Sequence, residues 1–195
     1  MSTLRRSPFV AFSLLAAAVV MPAIAHAQDP AAAASRPAVM NALLRDVTQV
    51  EEKMTALAGA IPEAKYAWRP ADGVRSTAEV LVHVAADNWF LPTAVGIAAP
   101  AETGITAGDY PSVQAYEART MTKAEAMETM RESFAHLRAA MEKADEAFLA
   151  QKIELFGSEM SGTDLWVLTT THLHEHLGQM IAYARSNGVV PPWSR

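Results

Sequence analysis

The sequence predicts an all-α protein, an antiparallel four-helix bundle. Three observations carry that expectation. Apolar residues recur at helical spacing along four long segments, near 37–60, 77–96, 123–147 and 161–186. A serine or threonine stands just before three of them with an acid three residues on: Ser76 with Glu79, Thr122 with Glu125, and Ser161 with Asp164. That arrangement satisfies free N–H groups at a helix start. No run alternates clearly enough to be read as a strand.

In chain order, residues 1–27 read as a secretory signal peptide. Arg5 and Arg6 make a basic start, an apolar stretch runs from Phe9 to Ala25, and Ala25-His26-Ala27 supplies a small-residue cleavage pattern. Pro22 and the short apolar length disfavour an uncleaved anchor. The expectation is a periplasmic or secreted protein cleaved after Ala27, with no stable membrane insertion afterwards. Residues 28–36 form an Ala-rich, flexible lead-in, and 37–195 form one bundle domain. Val39, Leu43, Val47, Val50, Met54 and Leu57 mark the inward stripe of the first helix, which Ile61-Pro62 ends. Residues 65–76 carry Pro70 and Gly73 and read as a loop. The second helix follows Ser76. A Gly/Pro-rich connector spans 97–112, and a short helical piece begins at Pro111 on the way to the third long helix. Ala126, Met130, Phe134, Leu137 and Met141 share one face of that helix. The fourth ends near Ser186, where Gly188 suits a left-handed cap and Pro191-Pro192 prevents continuation. Four amphipathic helices joined by loops bury their stripes against one another as a bundle.

Cleavage after Ala27 leaves 168 residues, enough for a single core. It removes two arginines and no acid, so the formal charge of −5 becomes −7. An acidic surface argues against nucleic-acid phosphate as a partner. With no cysteine, the chain has no disulfide, thiol nucleophile, thiolate ligand or lipid-bearing residue of its own. Any metal must be held by nitrogen and oxygen.

The stretch "THLHEHLGQM", residues 171–180, holds three alternating histidines. On a helix the alternation resolves. His172 and His176 are one turn apart on one face, whereas His174 is rotated by about 200° from His172 and faces outward with Glu175. Leu165, Leu168, Thr169, Met180 and Tyr183 mark the inward stripe, which also carries His172, His176 and Gln179. Buried imidazoles need partners, and two at this spacing suit one divalent ion. On the second helix Val80, Val84 and Leu91 mark the stripe that carries His83 and Asp87. His83, His172 and His176 then match three-histidine zinc sites with an open fourth position. His136, on the third helix, reads as partly exposed and not a ligand.

The segments "EVLVHVAADNWF" around His83 and "HLHEHLGQ" around His172 and His176 resemble the DinB-like superfamily of four-helix bundle metalloproteins. The second is similar to that family's His-x-x-x-His-x-Gly-Gln pattern, with Glu175 and Leu177 standing where many members carry His and Arg. "WRPADGVRS" and the tail "GVVPPWS" look like exported members. The resemblance implies an up-down-down-up bundle with a zinc or nickel ion at one end, often as a homodimer. It also implies thiol-dependent transfer or isomerisation on small molecules in the members that are understood.

The functional expectation is an exported divalent-metal-binding protein, with Zn2+ first and Ni2+ the alternative. It would act as a metal-dependent transferase or hydrolase on a small-molecule substrate, through water or a thiol made nucleophilic by the ion. The alternative is a non-catalytic metal-binding module for stress response or sensing. Three roles stay open for Asp87: general base, hydrogen-bond partner of a ligand histidine, or ligand. Gln179, one helical repeat above His172, is a candidate to orient a ligand or substrate. Trp68 and Arg75 flank the metal end and are candidates for a lid, with core packing the alternative for Trp68.

Overall fold

The computed structural model describes residues 36–194, so the expected leader and the lead-in before Arg36 lie outside the described residues. Along the chain run α1 (Ala38–Ala60), α2 (Thr77–Phe90), α3 (Tyr110–Glu117), α4 (Lys123–Met141), α5 (Glu146–Ala150) and α6 (Gly162–Ser186). Between α5 and α6 lies an antiparallel hairpin, β1 (Lys152–Leu155) and β2 (Ser158–Ser161), with Lys152 opposite Ser161 and Leu155 opposite Ser158.

The four long helices form the frame, and their ends follow from local chemistry. Each of the three expected capping boxes is made: Ser76 with Glu79, Thr122 with Glu125, and Ser161 with Asp164. Past α6, Gly188 takes a φ of 75°. Its N–H donates to the Arg185 carbonyl at 3.0 Å and that of Val189 to Ala184 at 2.8 Å, which satisfies carbonyls the helix leaves free.

Both α1 and α2 pack against α4 and α6, so α1 and α2 take opposite corners of the bundle. Lys123 Nζ donates to the carbonyls of Gly59 and Ile61 at 2.9 and 2.7 Å, so α4 starts where α1 ends. Farther along, Arg138 pairs with Glu51, and the two helices run antiparallel. Asn88 near the end of α2 donates to Ser133 at 3.2 Å, while the capped starts of α2 and α4, Ser76 and Thr122, line one cavity. Those two helices run parallel. Against α6, α2 is antiparallel, with Tyr183 at Arg75 and His172 at Asp87. The order is up-down-down-up, and the long connector between α2 and α4 is what makes two successive helices parallel.

Leu44, Val47, Met54, Phe134, Leu137, Leu165 and Trp166 are fully buried at the centre. Complete burial of side chains this size stabilises by roughly 1.5–3 kcal/mol each. Among the described residues no helix is long and apolar enough to cross a membrane.

Four sequence expectations need correction. Met40 and Leu44 are buried on α1, while Val39 is exposed and Leu43 only partly buried, so the stripe enters one residue later than read. Leu168 is exposed on α6. The third long helix stops at Met141; Asp145 caps the separate α5, its carboxylate accepting from the Phe148 N–H at 2.8 Å. The hairpin is the strand pair the sequence did not reveal. Its two turn residues, Phe156 and Gly157, both have positive φ, 52° and 75°, the geometry that matches strand twist in two-residue hairpins.

Candidate metal centre

His83 lies in the second turn of α2, and Asp87 one turn later on the same face. His172 and His176 repeat that spacing on α6. Because the helices cross antiparallel, the four side chains meet between them. His172 Nε2 lies 2.9 Å from His176 Nε2 and 3.3 Å from His83 Nε2. Asp87 Oδ2 lies 3.2 Å from His172 Nε2 and 3.4 Å from His83 Nε2. His83, Asp87 and His176 are buried and His172 partly so. Tetrahedral zinc with Zn–N bonds of about 2.0–2.1 Å needs ligand nitrogens about 3.3 Å apart, close to what the imidazoles show.

Partners on the outer ring nitrogens decide which tautomers face inward. His83 Nδ1 lies 2.7 Å from Glu117 Oε1, so it carries the proton and donates to that carboxylate. Arg75, Tyr183 and Gln179 together set the tautomer of His176 on α6. The Tyr183 hydroxyl donates to the Arg75 carbonyl at 3.0 Å, so it accepts from Gln179 Nε2 at 2.9 Å. That turns the Gln179 carbonyl toward His176 Nδ1, 2.8 Å away, which must then be the protonated nitrogen. Both Nε2 atoms therefore present lone pairs to the cluster, the state in which a histidine binds metal. His172 Nε2 stands between them and Asp87; to turn its lone pair to a cation, this neutral ring carries its proton on Nδ1. The donor set fits a divalent ion.

The electrostatics agree. Burial, reinforced by His176 and His83, drops the His172 pKa to about 3. Burial also lowers His176, against the opposing hydrogen bond that its Nδ1–H donates to Gln179. Burial raises Asp87 to about 6; His83 pulls it down and Glu117 pushes it up. Glu117 is desolvated too, but hydrogen bonds from His83 and Arg75 outweigh burial and hold its carboxyl below the usual range. The result is two neutral imidazoles on α6 and an acid poised close to neutral pH.

Of the residues singled out from sequence, His83, Asp87, His172 and His176 come together. Gln179 holds His176, three residues away, and not His172. Arg75 binds Glu117 through Nη2 at 2.8 Å and Tyr183 through its carbonyl, and so braces both. Trp68 stands edge-on to Tyr183, ring centroids 5.2 Å apart, and packs against the core. His174 is exposed and meets Asp46 at 2.9 Å; His136 is partly buried and belongs to neither cluster that could hold an ion. Sequence reasoning missed Glu117. It sits on the short α3, 34 residues from His83, and its one readable sign is a place beside buried Tyr116 and one turn past buried Val113. A cavity of about 580 Å³ shares Arg75 and Glu117 with this network, together with Tyr66, Val82 and Lys123, but none of the three histidines lines it. It adjoins the cluster without containing the chemistry.

An up-down-down-up helical bundle that gathers three imidazoles and a carboxylate between two helices defines a protein with a histidine-rich site able to bind a divalent ion. The family model described as the DinB superfamily matches residues 46–180, and this chain belongs to that superfamily. Among solved structures it is similar to a DinB-like protein from Bacillus subtilis, with 21% identity and a TM-score of 0.59 over 77% of this chain and 94% of that one. It is also similar to YfiT from Bacillus subtilis, described as a probable metal-dependent hydrolase with an unusual four-helix bundle topology. There the identity is 13% and the TM-score 0.62, over 77% of this chain and 89% of that one. A third likeness is a mycothiol-dependent maleylpyruvate isomerase, 12% identical with a TM-score of 0.58, over 72% of this chain and 60% of that one. At these identities the likeness shows the fold. Among curated proteins none matches this sequence.

Proposed function

We propose that this is an exported, divalent-metal-dependent hydrolase or transferase acting on a small molecule, with His83, His172 and His176 as ligands and Asp87 as the proton-handling group. The observation that carries this reading is the convergence of three Nε2 atoms, two with tautomers fixed from outside, beside one buried carboxylate. A bound divalent ion supplies Lewis-acid activation of a water or thiol nucleophile near neutral pH. The protein does the rest. Glu117 and Gln179 hold the ligand protons away from the site, and Arg75 and Tyr183 hold those two in turn. Asp87, with a pKa of about 6, takes a proton at Oδ2 and returns it within the range where general bases are effective. Imidazole ligands favour zinc, with nickel the alternative. YfiT, described as a probable metal-dependent hydrolase, supports the reaction class. The basic n-region and Ala25-His26-Ala27 support export, which N-terminal sequencing of periplasmic protein tests; the expected first residue is Gln28.

A second reading rests on a specific distance. Asp87 Oδ2 is as near to His83 and His172 as those nitrogens are to each other, which suits a fourth ligand. That would close the site and make the protein a binding module. Elemental analysis of natively purified Asp87→Asn separates the two. Metal retained at about one ion per chain, with turnover down by about 10²–10⁴, supports the base; metal lost as completely as in His83→Ala rejects the enzyme reading.

A further inference from the structure

His83, Asp87 and Phe90 stand at i, i+4 and i+7 on α2, so one stripe carries a candidate ligand, the proton-handling acid and an aromatic ring. The short α3 runs along that stripe in the opposite direction. Its last residue, Glu117, meets His83, and its first, Tyr110, meets Phe90 with ring centroids 6.1 Å apart. Asp87 lies between these two contacts. The Tyr110 hydroxyl senses it: burial raises its pKa, and the Asp87 and Glu117 carboxylates raise it further.

A third ring comes from the hairpin turn. Phe156 stands 5.9 Å from Tyr110 and 6.2 Å from Phe90, centroid to centroid. It is 62% exposed, and Tyr110 is 38% exposed. Its φ of 52° is the left-handed conformation, which crowds a Cβ against the following carbonyl oxygen and which Asn or Gly fills better in such a turn. The turn calls for a positive φ but not for phenylalanine, and contact with Phe90 and Tyr110 still leaves most of the ring in solvent. A ligand that covers the ring accounts for the choice.

We propose that Phe90, Tyr110 and Phe156 form an aromatic cup that binds the planar apolar part of the substrate beside the metal centre. The small-molecule class this site accepts is thus an aromatic or otherwise planar apolar group carrying a polar, hydrolysable or transferable end that reaches Asp87. Phe90 is the buried floor; Tyr110 and Phe156 are the walls. This rests on the metal-dependent reading for the polar end of the substrate, whereas the cup itself stands on the three rings.

Hydroxamates probe both halves, because their polar ends chelate zinc and their tails vary. With the zinc-loaded mature chain, benzohydroxamate is expected to bind at least about tenfold tighter than acetohydroxamate, from aromatic contact with each wall ring. Phe156→Asn and Tyr110→Ala should each cut that preference about threefold, and the double variant should bring the two probes level with acetohydroxamate affinity unchanged. Phe156→Asn suits the positive φ, so it should melt no lower than wild type while losing probe affinity. A preference that survives in the double variant overturns the cup. A shift in oligomeric state by sedimentation, with the preference intact, would show the rings to be a contact between copies and overturn it as well. If acetohydroxamate fails to bind at all, the open-site reading falls and the cup is judged alone. In metal-free protein, 4-fluorobenzamide should show 19F line broadening that the double variant abolishes; no broadening in wild type overturns the proposal.

Discussion

Replacing Asp87 with Asn should stabilise the metal-free protein, and only above a defined pH. Asp87 is buried, 8% exposed, and burial lifts its pKa from 3.8 to about 6. An acid whose folded pKa is raised contributes stability fully below pH 3.8, where both states are protonated, and loses that contribution as pH rises through 6. A shift of about two units corresponds to about 3 kcal/mol. Asn has nearly the same shape and no charge to desolvate. The variant should therefore exceed wild type by about 3 kcal/mol at pH 8 and match it near pH 3.8, which for a domain of this size is about 6–12 °C in Tm at the higher pH. His172, neutral down to about pH 3, destabilises both proteins as pH falls below its ordinary value. Urea unfolding with chelator present, at both pH values, measures it. An equal difference at the two pH values would refute the reasoning, and so would a less stable variant at pH 8, because the ionised carboxylate would then be welcome in the fold.

Three further outcomes test the surroundings. Glu117→Gln removes the charge that receives the His83 proton, and zinc affinity by chelator competition should fall about 10–100-fold; wild-type affinity would show that Glu117 serves Arg75 alone. Tyr183→Phe keeps the ring against Trp68 but releases the Gln179 amide, which can then turn its NH2 toward His176; a drop of about tenfold in zinc affinity is expected, and none would break the chain of donors that fixes the tautomer. Gly162→Ala adds a Cβ only 2.3 Å from the Phe148 carbonyl oxygen, so thermal unfolding should show a loss of about 1–3 kcal/mol, while an unchanged Tm would mean that α5 moves aside freely.

The histidines were legible because helical period alone decides which residues share a face. The four-residue step from His172 to His176 needs no knowledge of tertiary contacts, and neither do the capping boxes at Ser76, Thr122 and Ser161. Opposing stripes on two helices then bring His83 to them. Glu117 was not legible, because periodicity says nothing about where a connector lands, and its charge looked like any solvated acid. The hairpin hid for a related reason. "KIEL" alternates correctly, but it is four residues long and closes with Phe-Gly where Asn-Gly is the usual signal. On α1 the error was one of register. Val39 and Met40 are both apolar, and only packing against α4 and α6 shows that Met40 and Leu44 carry the entry of the stripe.

The candidate ligand histidines and the group that holds His83's proton belong to structurally different parts of the protein. His83, His172 and His176 are fixed by core packing, so changing their positions means repacking a bundle. Glu117 arrives on an eight-residue helix in the stretch between two long helices, where chains tolerate insertion and exchange far better. A lineage that altered α3 would change the basicity of one ligand while leaving the frame untouched. One scaffold is thus open to tuning for different ions, or different nucleophiles, through edits at Glu117 that keep the buried Val113 and Tyr116 in place.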